Sequence, residues 1–159
     1  MDLLFHLLIP YTLLRLRGYG NRYLVPLAVL AVLPDLDRFA WLRRSWHSLL
    51  LGLALVALAW FLARKRADGK RITFISGFYF FSHLALDLGG EMAWLWPLDS
   101  SYYVVTPYVK LVNLWPIFGV DFQVVPTVVQ GIGTVLSAAG FGVLGLLLGL
   151  WTVNSLRRK

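Results

Sequence analysis

The sequence contains no cysteine, which excludes structural disulfides and thiolate metal sites. It is also poor in charge. Asp, Glu, Lys and Arg make up 14% of its 159 residues, against roughly 25% in ordinary soluble domains. Acidic residues are the scarcer sign, 8 against 15 basic, and histidine occurs only three times. There is no low-complexity segment and no convincing internal repeat. No cleavable signal peptide is expected, because the first apolar stretch carries His6 and Pro10 and leads into LRLRGYGNR. A net charge of +7 can serve a nucleic-acid partner, but here the basic residues stand at the ends of apolar runs. That is the pattern of membrane anchoring, and no nucleic acid is expected.

What the sequence has in excess is apolar side chain: 58% of residues, with a mean hydropathy of +0.69. Two runs, 46–63 and 127–151, reach the length of about 20 residues that crosses a hydrocarbon core. A third, 72–88, is about as long and carries polar groups near its end. Two shorter runs come first: 3–14, with a proline in its middle, and 24–34, opening with Pro26. The fold class this predicts is all-α: a polytopic membrane helical bundle of about five helices, the first two short. It forms a single membrane-embedded domain over 1–159. Residues 89–126, rich in Trp, Tyr and Pro, read as a long outer loop at headgroup level with a strand or short helix inside it.

Charge orients this bundle. The segment RKRADGKR (64–71) and the terminal RRK mark the cytoplasmic side by the positive-inside rule. The expected localisation is therefore a multi-pass protein of the cell membrane. On that arrangement His6, Asp35, Asp37, His47, His83 and Asp87 all converge on the extracytoplasmic end. The charge pattern did not require this.

His83 and Asp87 are four residues apart, so on a helix they share a face. Imidazole nitrogen and carboxylate oxygen form an ordinary zinc donor set. Each residue also has a plain reading. His83 and Asp87 can be a polar pair bonding between helices. Asp35 and Asp37, in LPDLDR, can mark a turn or cap the next segment. His47 can be an interfacial histidine, and His6 a buried one bonded to a carbonyl. Six such coincidences at one end favour a metal centre. Arg43 and Arg44 beside it suit an anionic phosphate. Trp94 and Trp96 are candidates for contact with substrate, although an aromatic belt explains them as well.

The ordered set LPDLD, RRSWHS and HLALD followed by WPL resembles the YdjM-like family of membrane-bound metal-dependent hydrolases, also labelled LexA-binding. The match covers roughly residues 5–100. The family commonly has H-R-G-x-[ST]-H-S where this chain has LRRSWHS: Arg43 and His47 match, while Leu42 and Arg44 replace the first histidine and the glycine. The family is similar in turn to zinc-dependent phospholipase C and single-strand nucleases. The resemblance implies that Asp35, His47, His83 and Asp87 ligate one zinc, and that Asp87 bridges to a second with His6 as a further ligand. A third metal would need histidines this chain lacks.

The chemistry implied is hydrolysis of a phosphoester. One or two zinc ions would supply the cofactor, Asp37 would orient a histidine ligand, and Arg43 would assist. A phospholipid or lipid-linked phosphate among the membrane lipids suits the expected position. Two alternatives stand beside the hydrolase. One is a non-catalytic membrane protein with a structural or regulatory metal site. The other is an ion- or proton-coupled transporter, whose ionisable groups belong near mid-membrane.

Overall fold

The computed structural model describes residues 3–38 and 46–125. Helix α1 (Leu3–Leu16) is followed by α2 (Asn21–Leu27) and by two 3-10 helices, Ala28–Ala31 and Leu33–Arg38. Then come α3 (Leu49–Ala63), α4 (Gly69–Leu86) and three strands, β1 (Glu91–Met92), β2 (Tyr102–Val112) and β3 (Trp115–Val125).

Local chemistry explains the boundaries. Helix α1 ends in a Schellman motif. Tyr19 N–H reaches Leu14 O at 3.1 Å, Gly18 N–H reaches Arg15 O at 2.9 Å, and Gly18 takes a φ of +86° that favours glycine. Pro26 stands inside α2, and past it the pattern tightens to 3-10: Ala28 N–H bonds Val25 O. Ser48 caps α3, accepting the amides of Leu50 at 3.1 Å and Leu51 at 3.4 Å.

Helix α4 is the spine, contacting α1, α2, α3 and both 3-10 helices. One core cluster joins Leu14, Tyr23, Leu24, Ala31, Ile75 and Tyr79; a second joins Phe80, Leu84 and Met92. Helix α3 lies close against α4 because Gly52 has no side chain. A Cβ there would fall 2.6 Å from the Phe80 ring.

The all-α expectation is wrong. Most of 89–126 is an antiparallel sheet of order β1-β2-β3, with Glu91 opposite Val104 and Tyr102 opposite Val125. The run YYVVTPYVKLV is rich in β-branched and aromatic residues. Asn113 and Leu114 make a two-residue turn with φ of 50° and 65°, the geometry that suits strand twist. Pro107 is tolerated because, among the described residues, β1 covers β2 only at Tyr103 and Val104 and leaves the edge beyond unpaired.

The transmembrane-helix reading is also corrected. Among the described residues no helix is long and apolar enough to cross a membrane. The 15 residues of α3 reach about 22 Å at 1.5 Å per residue, short of the ~30 Å core. The 18 residues of α4 include Lys70, Arg71, Thr73, Ser76, Ser82 and His83. Multi-pass placement in the cell membrane, with its extracytoplasmic face, is therefore not supported. The apolar run 127–151 lies outside the described residues.

Candidate metal centre

Four separate elements bring the ionisable residues together. His6 lies in the second turn of α1, and Asp35 in the second 3-10 helix. His47 immediately precedes the cap of α3, His83 lies in the last turn of α4, and Asp87 is that helix's C-terminal cap. All five are buried. One ligand atom from each of Asp35, His47, His83 and Asp87 falls within 4.8 Å of the others. Tetrahedral zinc with bonds near 2.1 Å would draw them to about 3.4 Å. This buried group can hold a metal ion.

Asp87 is the hub. Its Oδ2 lies 3.1 Å from His47 Nε2 and 3.2 Å from His83 Nε2, and its Oδ1 lies 3.0 Å from His6 Nε2. Burial raises the pKa of this carboxyl, but the surrounding imidazoles of His47, His6 and His83 outweigh it and hold the group below the ordinary carboxylate range. The ionised form of Asp87 is thereby favoured, at the negative end of the α4 dipole. Both terms call for a cation beside it.

The His83 ring shows where that cation belongs. Its Nδ1 lies 2.7 Å from Ala31 O. A carbonyl only accepts, so Nδ1 carries the proton, and in the neutral ring Nε2 presents a lone pair. That lone pair faces Asp87 Oδ2 and also His47 Nε2, 3.2 Å away. A cation among these three atoms, either a metal ion or a proton carried by an imidazole, satisfies them together. A histidine fixed by a backbone carbonyl and aimed at carboxylate and imidazole is the usual form of a metal ligand with its outer partner. The donors fit a divalent ion of the zinc type.

His6 stands outside the group of four and extends it. Its Nδ1 is buried with no hydrogen-bond partner among the described residues. Asp87 Oδ1, although within ion-pair distance of His6 Nε2, receives no hydrogen bond of good geometry. The His6 and His83 rings lie against each other at a tilt of 31°, with centroids 4.0 Å apart. His6 thus borders the group of four on the side of the other oxygen of Asp87.

No family model, no curated protein and no solved structure matches this chain. The site therefore rests on its own geometry.

The remaining sequence candidates are more scattered. The Asp37 backbone continues the 3-10 helix that carries Asp35. Arg43 and Arg44 lie outside the described residues. Trp94 packs on the Phe80, Leu84 and Met92 cluster, with its indole Nε1 buried and unpartnered. What Trp94 offers the α3 start is its carbonyl, which accepts Leu49 N–H at 3.0 Å. Trp96 is half-buried next to it.

Sequence reasoning missed the Ala31 carbonyl, because a main-chain atom leaves no side-chain signal. The indirect sign was Pro26 and Pro34 flanking a short apolar stretch. They break the helix into 3-10 turns, where the Asp35 amide bonds Val32 O at 3.1 Å and Ala31 O is left for His83.

Proposed function

We propose that the chain is a metal-dependent hydrolase acting on a phosphoester of a lipid or lipid-linked substrate. The observation that supports a metal is the buried group of Asp35, His47, His83 and Asp87, whose ligand atoms lie within 4.8 Å of one another, with His83 fixed by Ala31 O. The reaction class comes from the resemblance to the YdjM-like family; the lipid substrate rests on the headgroup-level position expected from the sequence, which the described helices do not support.

In this reading Asp35, His47, His83 and Asp87 hold the first ion. Asp87 and His6 would be the ligands of a second. Held there, a divalent ion would supply a Lewis acid for a phosphoryl oxygen and a water nucleophile near neutral pH. Four ligands alone would close a structural site, and catalysis needs an expandable position. His6 and the free Asp87 oxygen provide it. Asp37 orients a histidine ligand, and Arg43 and Arg44 bind the anionic phosphate.

The test is metal analysis of the purified protein, followed by assays on phospholipids, lipid-linked phosphates and nucleotides with and without chelator. Metal-dependent turnover that is lost in Asp87→Asn is expected. Metal-loaded protein inert toward the whole panel overturns the hydrolase.

One observation favours a second reading. Every ligand in the group is buried, as in a site that serves stability. Under that reading the protein binds one ion, and His6→Gln leaves the stoichiometry unchanged. The transporter alternative depends on spanning helices, and no such helix occurs among the described residues.

A further inference from the structure

His47 is the one ligand of the group of four that lies in a connection between elements rather than in a helix, a 3-10 helix or a helix cap. It is nevertheless buried, with its Nε2 held 3.1 Å from Asp87 and 3.2 Å from His83. Something other than helix geometry must hold it there.

The neighbouring residue supplies the means. Ser48 is fully buried. Its backbone is extended, with φ −110° and ψ 134°, so the chain turns sharply into α3 at this point. Its hydroxyl oxygen accepts the Leu50 and Leu51 amides. Its single proton is donated the other way, the oxygen lying 2.7 Å from Trp96 O and 3.3 Å from Trp94 O. Leu49 N–H meets Trp94 O from the same side. An ordinary N-cap needs only the acceptor half of this pattern. The donor half joins the start of α3 to a segment nearly fifty residues away, immediately after the strand that carries Met92. Met92 in turn packs with Phe80 and Leu84 on α4, the helix that holds His83 and Asp87. The chain entering α3 is thus fastened to the same helix as the other two ligands.

We propose that Ser48 is a positioning residue for the metal centre. Its hydroxyl proton, given to the Trp96 carbonyl, sets the place of the His47 imidazole. This rests on the metal reading of the site. It makes the 94–96 segment part of the site through its main chain, whatever its indole rings do.

Glycine separates the two roles of the hydroxyl. Ser48→Gly keeps most of the capping function, since glycine caps nearly as well as serine, yet it cannot donate to Trp96. Ser48→Thr keeps both. The experiment titrates cobalt(II) into metal-stripped full-length protein and reads the visible ligand-field spectrum, with the folded fraction followed by circular dichroism. The expected result is roughly 10- to 100-fold weaker cobalt affinity for Ser48→Gly, in the range for losing an outer partner of a ligand. The spectrum should change while the folded fraction is unchanged, and Ser48→Thr should restore both. Equal affinity in Ser48→Gly and wild type overturns the proposal while leaving the metal site standing. Unfolding of Ser48→Gly also overturns it, because the hydroxyl then serves the fold. Wild-type protein that takes up no cobalt overturns the metal reading and this proposal together.

Discussion

The helical part of the molecule and its β-hairpin differ in what they bury. Around α4 the ionisable groups are inside: His6, Asp35, His47, His83 and Asp87 are all buried. Along β2 and β3 the large apolar groups are outside, with Leu114 92%, Trp115 77% and Phe118 76% exposed. The cause is the number of neighbours available. Helix α4 is covered on several sides, so its polar residues must find partners within the fold. Past Val104 the two long strands pair only with each other among the described residues. A two-stranded ribbon has two faces, and among the described residues no helix packs over either. The buried ionisable groups of the helical part are thus bound to one another, whereas the hairpin's local bonds make it independent of the site.

That difference predicts the largest effect at Asp87. Asp87→Ala removes the one anion shared by three imidazoles and leaves them crowded and unpaired in a buried place. A loss of about 3–5 kcal/mol is expected, the range for removing one partner of a buried ion pair. Metal uptake should vanish with it. Thermal unfolding and metal analysis check both. Retention of one tightly bound ion by a folded Asp87→Ala protein would refute the hub role.

A smaller effect is expected at Tyr79, which is buried and donates its hydroxyl to Leu24 O at 3.1 Å. Tyr79→Phe should cost about 1–2 kcal/mol by leaving that carbonyl without its donor. Burial, with a smaller contribution from Tyr11, pushes the phenol from 10.0 up to about 12. The fold therefore prefers the neutral form. Its contribution is complete below pH 10, where the unfolded tyrosine keeps its proton, and is lost as the pH rises from 10 to 12. The stability of Tyr79→Phe should fall less steeply across that window. Parallel slopes for the two proteins in alkaline denaturation would sink the assignment.

How far the sequence was legible tracks the same divide. The ligands of the centre were readable because rare residue types in a charge-poor chain are conspicuous, and because His83 and Asp87 carry helical spacing. The segments of α1, α3 and α4 were readable as apolar runs, but not their consequence. Composition counts apolar residues without seeing that Lys70 and Arg71 fall inside α4 or that α3 stops after 15 residues. The hairpin was missed for a different reason. Trp, Tyr and Pro in 89–126 were assigned by type to a membrane interface, when the alternation and β-branching of Tyr102–Val112 already described a strand. Asn113 is a common turn residue, but Leu114 at positive φ gives no such signal.

That turn gives the smallest and most local prediction. Leu114 holds a φ of 65° and is almost fully exposed, so it carries left-handed strain without packing in return. Leu114→Gly converts the turn to Asn-Gly, the preferred pair for a two-residue hairpin with positive φ at both positions. Relief of strain opposes the greater freedom of glycine in the unfolded chain, and the net gain should be at most about 1 kcal/mol. Because the strands past Val104 pair only with each other among the described residues, cobalt affinity should stay at the wild-type value. Chemical denaturation monitored at Trp115, beside a metal titration, reads the two separately. A destabilised variant would show that Leu114 makes a contact that outweighs its strain. A stabilised variant with altered cobalt affinity would couple the hairpin to the centre and erase the contrast between the two regions.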